Sequence, residues 1–332
     1  PYLSRGLGDV YKRQVIGLFF SLVSTSLIAS DKLDTNSYFF FFKHLIYVLI
    51  GISLIFIFSS LNSDKLYKYS IFLFFISLIS LFLVPFVGVE VKGSKRWIDL
   101  FFLPRFQPIE VLKPFLIIIL ATIFCDIRSN ILFKYLISII LISVISLLLI
   151  AQPDIGQTLL VVFCWAALIF TSGINIYILL AIFIAGASLL AYLIIFVPKF
   201  DYIQGRIFSF FNRETGTHNF QSDKAIESIT SGGFFGKGIG EGVLKNRVPE
   251  AHTDYIISVI SEEFGVVAIM LILLLFLILI YMVFKKISFE TNDKAKLILI
   301  GSISLILMQA TIHVGVNIRL FPTTGMTLPF LS

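Results

Sequence analysis

Arg247–Gly265 reads RVPEAHTDYIISVISEEFG, a polar segment carrying His252 and Asp254 that runs directly into an apolar helix still holding Glu262 and Glu263. A charge at bilayer depth costs about 2.5–3.5 kcal/mol on insertion scales, so an ionisable group there marks a functional site by default. On a helix, Asp254, Ser258, Ser261 and Glu262 fall at i, i+4, i+7 and i+8, along a single stripe. That stripe is expected to face protein or water, not lipid.

Working outward, the 332 residues are 58% hydrophobic and 14% charged, with 36 Phe and a mean hydropathy of +0.97. Soluble chains carry roughly 25% charged residues, so the composition predicts an all-α, polytopic integral membrane helical bundle. The two cysteines, Cys125 and Cys164, lie in or beside apolar runs without metal-ligand spacing and are expected to be inert packing residues. The formal charge of +6 is mild, and its placement matters more than its size.

Residues 1–14, PYLSRGLGDVYKRQ, are abruptly polar and lack the arrangement of a signal peptide, so they are read as a non-conforming tail preceding a transmembrane domain over 15–332. Apolar runs follow at Val15–Ala29, His44–Ser59, Ser70–Val87, Val111–Phe124, Tyr135–Ile150, Gln157–Ser172, Ile174–Val197, Tyr255–Phe284 and Leu297–Val316, nine candidate spans. Short basic loops at Lys65 and Lys68, at Arg128 and Lys134, and at Lys285 to Lys296 place those connections and the N-terminus in the cytoplasm. Gly88–Phe106, Ala151–Gly156 and the large loop 198–254 then lie outside the cell. The large loop carries seven Lys/Arg and seven Asp/Glu and is neutral. Gly88–Phe106 instead holds Lys92, Lys95, Arg96 and Arg105 against Glu90 and Asp99, and cations on that side invite an anionic partner.

Four elements on this face carry candidate chemistry. In the first, Trp97 flanks Arg96, and Gln107, Glu110 and Lys113 follow at three-residue steps as the next helix begins. Glu110 suits the positive end of a helix dipole. Lys113 is either its i, i+3 partner or a substrate ligand, and Arg96 has the bidentate geometry that phosphate oxygens accept. The second, AQPDIGQT, sets Asp154 in a turn where it caps the next helix or serves the site. The third is the glycine run from Gly232 to Gly242 around Lys237, whose backbone N–H groups suit an anion although the run is no Walker motif. The fourth is Gln309, His313 and Asn317 at i, i+4 and i+8, which serve as interhelical glue or as ligands. No serine-hydrolase elbow, HExxH or Cys/His cluster is present. Asp254 is the preferred base, with His252 two residues earlier to position it or pair with it.

Taken together, GSKRWIDL with QPIEVLK, QPDIGQT, SGGFFGKGIGEG, VPEAHTDYIISVISEEFG and GMTLPFLS resemble the successive motifs of the SEDS family (shape, elongation, division and sporulation), in that family's order from Gly93 to Ser332. The resemblance implies ten transmembrane helices, of which nine are present here. It implies a peptidoglycan glycosyltransferase of the cytoplasmic (inner) membrane that polymerises lipid II on the outer face with a class B penicillin-binding transpeptidase. DKAIESITSGGFFGKGIGEGVLKNRVPEAHTDY and NIRLFPTTGMTLPFLS resemble the division-type members more than the elongation-type, which implies other divisome partners and a septal location. The family's HTD aspartate falls on Asp254. Ile109 departs from the small hydroxyl residue usual before Glu110, and the sequence stops before the tenth helix, so an incomplete domain is expected.

The mechanism so implied has Asp254 as general base. Arg96, Trp97, Lys113, Glu110, Gln107, His252 and Lys237 contact substrate, and Asp154, Glu262, Glu263 and Asn317 support the site. A divalent cation, Mg or Mn, is a candidate cofactor with no ligand cage visible in the sequence. A lipid II flippase and a non-catalytic divisome scaffold are the rival readings. The flippase predicts buried charges through the full bilayer depth, the scaffold a dispensable Asp254.

Overall fold

The computed structural model describes residues 39–91, 94–100, 103–126, 130–212, 217–249, 251 and 253–331. Residues 1–14, the run Val15–Ala29 and His252 lie outside the described residues. Helices α1 (Phe39–Ser59) and α2 (Ser63–Val87) are followed by three short strands, β1 (Val89–Val91), β2 (Ser94–Leu100) and β3 (Leu103–Phe106). Helices α3 (Pro108–Cys125), α4 (Ile131–Ala151), α5 (Ile155–Thr171) and α6 (Ile176–Phe196) come next, then α7 (Asp201–Asn212) and α8 (Thr217–Gly232), and finally α9 (Ile256–Phe289) and α10 (Asp293–Asn317). Among the described residues, six helices are long and apolar enough to cross a membrane, and His44–Ser59 and Ile155–Thr171 are shorter apolar helices. These account for every predicted span after the first.

The chain divides into two compact units. The first to be described comprises Leu61–Leu190 with Leu279–Met308. In it α2 packs along α3, and α5 packs on α3 and α4. Its buried core runs through Phe74, Leu112, Leu120, Leu149, Trp165 and Leu168 to Leu297. Trp165 Nε1 donates to Ser138 Oγ at 3.2 Å, so the indole polar atom is satisfied inside the core. A Cβ at Gly301 would stand 2.7 Å from Ile117 Cγ2, which fixes how closely α10 approaches α3 here. Both cysteines are free, Cys164 buried and Cys125 half-buried, as packing residues should be. The three strands form an antiparallel meander, β1–β2–β3, with Val89 opposite Trp97 and Ile98 opposite Phe106. Strand alternation puts Arg96 and the buried Ile98 on one face, and Lys95, Trp97 and Asp99 on the exposed one.

The second unit comprises Ala191–Ile278 and Gln309–Ser332 with the described part of Pro1–Ser60. Here 198–254, which hydropathy identifies only as a connection between spans, contains α7, α8 and two 3-10 turns at Pro198–Phe200 and Leu244–Arg247. The sequence of α8, THNFQSDKAIESITSG, is too polar for a span and shows no strong apolar face. Its inward side is made of small residues, with Ser222, Ala225, Ser228 and Gly232 buried at three- and four-residue steps. Small side chains leave little hydropathy signal, yet they let α8 lie against α9. Ser228 Oγ donates to Ser258 O at 3.1 Å and Ser261 Oγ to Ile229 O at 3.3 Å. The predicted stripe of Ser258, Ser261 and Glu262 therefore faces protein.

Helix α9 contains a break. Gly265 has φ 75° and ψ −176°, a conformation open essentially to glycine alone. The turns on either side lose their ladder partners, and the glycine-rich loop supplies replacements. Lys237 N and Gly238 N donate to the carbonyls of Glu262 and Glu263 at 2.9 and 3.0 Å. Val266 N and Val267 N donate to the carbonyls of Gly233 and Phe234 at 3.0 and 3.3 Å. A second chain segment is thus spliced into the helix, and its four backbone hydrogen bonds stand in for ladder bonds that the break removes.

Candidate active site

Two polar centres hold the residues singled out from the sequence, one in each unit. In the unit of Leu61–Leu190, the α3 and α5 N-termini come together beneath β2. Asp154 is the N-cap of α5, with Oδ1 accepting from Gln157 N at 3.3 Å and Oδ2 accepting from Gln107 Nε2 at 2.9 Å. Arg96 reaches over the same turn. Its Nε donates to Gln152 O at 3.3 Å, its terminal nitrogen donates to Pro153 O, and Nε lies 3.7 Å from Asp154 Oδ2. Burial pushes the Asp154 carboxyl above its ordinary range, and the nearby Arg96 charge with the hydrogen bonds from Gln157 and Gln107 opposes that rise.

One turn deeper, Lys113 is almost fully buried and pairs with Glu110 at 2.7 Å, the i, i+3 partnership that the spacing offered. Gln157 completes the group, accepting from Lys113 Nζ at 3.2 Å and donating to Glu110 Oε1 at 2.7 Å. Gln157 was not identified as a site residue from the sequence. Its signal was present, because it stands three residues after the capping Asp154 on the face that α3 approaches. Trp97 lies on the exposed face of β2, away from Arg96.

In the other unit, the carboxylates of Glu262 and Glu263 are buried and served by backbone N–H groups as well as side chains. Glu262 Oε1 accepts from Leu244 N at 2.9 Å and lies 3.5 Å from Lys237 Nζ, and its Oε2 accepts from Ser228 Oγ at 3.0 Å. Glu263 Oε1 accepts from Gly240 N at 3.3 Å. The anion-cradling loop anticipated around Lys237 therefore cradles anions of its own chain.

Asp254 sits in the turn that leads into α9 and is half-buried. Its carbonyl accepts from Asn317 Nδ2 at 3.0 Å, and the same amide donates to His313 O at 2.9 Å. The rest of the Gln309, His313, Asn317 stripe holds the closing segment after α10. Gln309 Nε2 donates to Thr327 O at 3.1 Å, and His313 Nδ1 lies 2.8 Å from Met326 O. That segment passes beside the carboxylate, for a Cβ at Gly325 would stand 3.6 Å from Asp254 Oδ2. Arg206 of α7 donates to Thr323 O at 3.3 Å, and Arg319 pairs with Asp223 of α8, so the segment is fixed on both sides. Neither arginine was picked out from the sequence, where nothing distinguishes them from other surface cations. Among the described residues, no three His, Cys, Asp or Glu side chains gather as metal ligands.

The model of a family described as cell cycle protein, spanning FtsW, RodA and SpoVE, matches residues 10–332. The chain belongs to this family. Among curated members, it is 30% identical over 98% of its length to the probable peptidoglycan glycosyltransferase FtsW of Caulobacter vibrioides, covering 83% of that protein. With the FtsW of Coxiella burnetii, described in the same words, it shares 32% identity over 94% of this chain and 86% of that one. A chain from a solved peptidoglycan synthase complex that coordinates polymerization and crosslinking superposes with a TM-score of 0.78 at 26% identity, covering 98% of this chain and 90% of that one. The family fold is also seen in the rod shape determining protein RodA of Thermus thermophilus, with a TM-score of 0.70, 26% identity, and coverage of 98% and 89%. The family so found is the one its motifs resemble.

Proposed function

We propose that this chain is a peptidoglycan glycosyltransferase that polymerises lipid II during cell division, with Asp254 as its general base. The observation that carries the assignment is the setting of Asp254. Asp254 is half-buried, its backbone is held by Asn317, and a glycine rather than a side chain passes beside its carboxylate. A base must combine a fixed position with access to substrate, and these features support that reading of Asp254.

In the reaction, the 4-hydroxyl of an acceptor GlcNAc attacks C1 of the donor MurNAc, and the hydroxyl proton passes to the Asp254 carboxylate. The new O4–C1 bond forms as the C1–O bond to phosphate breaks, and undecaprenyl pyrophosphate departs with the bonding pair. One displacement inverts the configuration at C1. Charge develops on the leaving pyrophosphate, and Arg96 is the cation proposed to meet it, since Lys113 already answers Glu110 and Gln157. Arg96 spends two of its five N–H donors on the Gln152 and Pro153 carbonyls, which fixes the guanidinium plane while leaving further donors to the substrate. Trp97 offers an exposed aromatic face for the disaccharide or lipid. A partner transpeptidase of the class B penicillin-binding type would crosslink the product outside the cytoplasmic membrane.

Asp254→Asn keeps the shape of the side chain and cannot take the proton. Polymerisation of purified lipid II should fall by about 10²–10⁴-fold, with membrane insertion and transpeptidase binding unchanged. A near-native rate for the Asn variant would remove Asp254 from the chemistry.

A further inference from the structure

Among the large apolar side chains that the glycine-rich loop exposes, Phe234 and Phe235 are the two most exposed, and neither the cradle of Glu262 and Glu263 nor the proposed reaction uses them. Phe234 and Phe235 are 76% and 84% exposed. Their backbone is spliced into α9 at Gly265, with Phe234 O accepting from Val267 N.

The surroundings of α9 change at that splice. From Ile256 to Glu263 every residue is buried by protein. Beyond Gly265 the helix shows Val266, Val267, Met270, Leu271 and Leu274 to the outside. The apolar stretch that begins there, Val266–Phe284, has nineteen residues and no charge, and it stops at Lys285 and Lys286. At 1.5 Å per residue it is about 28 Å long, close to the thickness of a hydrocarbon core of about 30 Å. Gly265 therefore marks one edge of the hydrocarbon core and the lysine pair marks the other.

We propose that Phe234 and Phe235 are a membrane-interface anchor, inserted at the boundary between lipid headgroups and acyl chains where α9 enters the bilayer. The backbone of Phe234 is bonded to Val267 of α9, so the two exposed rings leave the chain at the level where the exposed apolar surface of that helix begins. Aromatic rings at this depth anchor membrane proteins. The anchor gives the loop a second attachment besides its hydrogen bonds to α9, and it holds the cradle of Glu262 and Glu263 at a set height above the hydrocarbon. The inference is independent of the reaction, because it rests on the length of α9 and on exposure alone.

The test uses the full chain in nanodiscs of phosphatidylethanolamine and phosphatidylglycerol, with Cys125 and Cys164 replaced by alanine and a nitroxide attached at Phe235→Cys. Labels at Leu271→Cys and Glu241→Cys serve as lipid and water references, and size-exclusion profiles confirm that each variant is folded. The label at 235 should collide with oxygen, relative to a water-soluble nickel chelate, several-fold more often than the label at 241, and it should approach the ratio at 271. A ratio at 235 equal to that at 241 overturns the anchor. Shielding from the chelate that arises only when a transpeptidase is added also overturns it, and assigns the rings to a protein partner instead.

Discussion

Asp154 and Glu262 are both sealed from solvent, yet the two units balance these carboxylates by different means. Around Asp154, Glu110 and Lys113 the partners are mostly side chains, with Arg96, Gln107 and Gln157 each reaching from a different element or turn. Around Glu262 and Glu263 the backbone N–H groups of Gly240 and Leu244 take part, together with the side chains of Ser228 and Lys237. A side-chain network can adjust when one member changes, because long chains rotate and amides flip. A backbone cradle cannot, because its donors are fixed by the path of the chain, and that path depends on a few glycines.

The sharpest test of this contrast is Gly265→Ala. The new Cβ would fall 2.2 Å from Phe234 O at a backbone conformation that alanine avoids, so the splice must open. The cost should be about 4 kcal/mol or more, from strain, clash and lost hydrogen bonds together. Gly173→Ala provides the control, since φ is +94° there but the space is open. It should cost only about 1–2 kcal/mol. Thermal unfolding in detergent compares the two, and similar melting temperatures for both variants would show that the splice is not rigid.

A smaller effect separates the two centres directly. Glu262→Gln places an amide N–H where one carboxylate oxygen accepted, against Ser228 or the Leu244 N–H and Lys237, and should cost about 1–3 kcal/mol. Gln157→Leu removes an amide from between Glu110 and Lys113 but leaves their 2.7 Å ion pair intact. It should cost less than Glu262→Gln. The reverse order would mean that the side-chain network is the stiffer of the two.

The smallest expected effect depends on pH. Burial raises the Asp154 carboxyl above its unfolded value of about 3.9, so the folded chain holds that proton more tightly than the unfolded one. The stability contributed by this group is fully present below the unfolded value and is lost as pH rises through the folded one. Asp154→Asn cannot ionise, and a flipped Gln107 amide can still serve it. The variant should therefore match or slightly exceed the native protein at neutral pH, with its relative advantage disappearing as the pH falls towards 4. A native protein that is clearly more stable than the variant at neutral pH would show that the Arg96 charge outweighs burial.

Much of this was legible in the sequence because the strongest signals are local. Every apolar run after the first forms a helix where hydropathy places it. Glu110 and Lys113 pair at the predicted spacing, Asp154 caps the helix that follows it, and Ser258, Ser261 and Glu262 turn to protein as their stripe requires. The tie from Asn317 to Asp254 spans 63 positions and could be anticipated only as a polar residue in need of a partner. The β-meander before α3 and the helix α8 escaped notice, since short strands among charged residues and a helix with a small-residue face leave no clear periodic signal.

The sequence by itself determined that the chain is a membrane helical bundle, where its spans lie, and which motifs place it in its family, because each of these depends on hydropathy or on residues close together in the chain. The tertiary structure alone decided what the buried charges do. Whether Lys113 answers Glu110 or stands open to a ligand, and whether the glycine loop holds an outside anion or the chain's own glutamates, depends on which distant groups arrive within 3 Å. Burying an ionised group is so unfavourable that folding must bring it a partner. The sequence states that need, and only the packed chain supplies the partner.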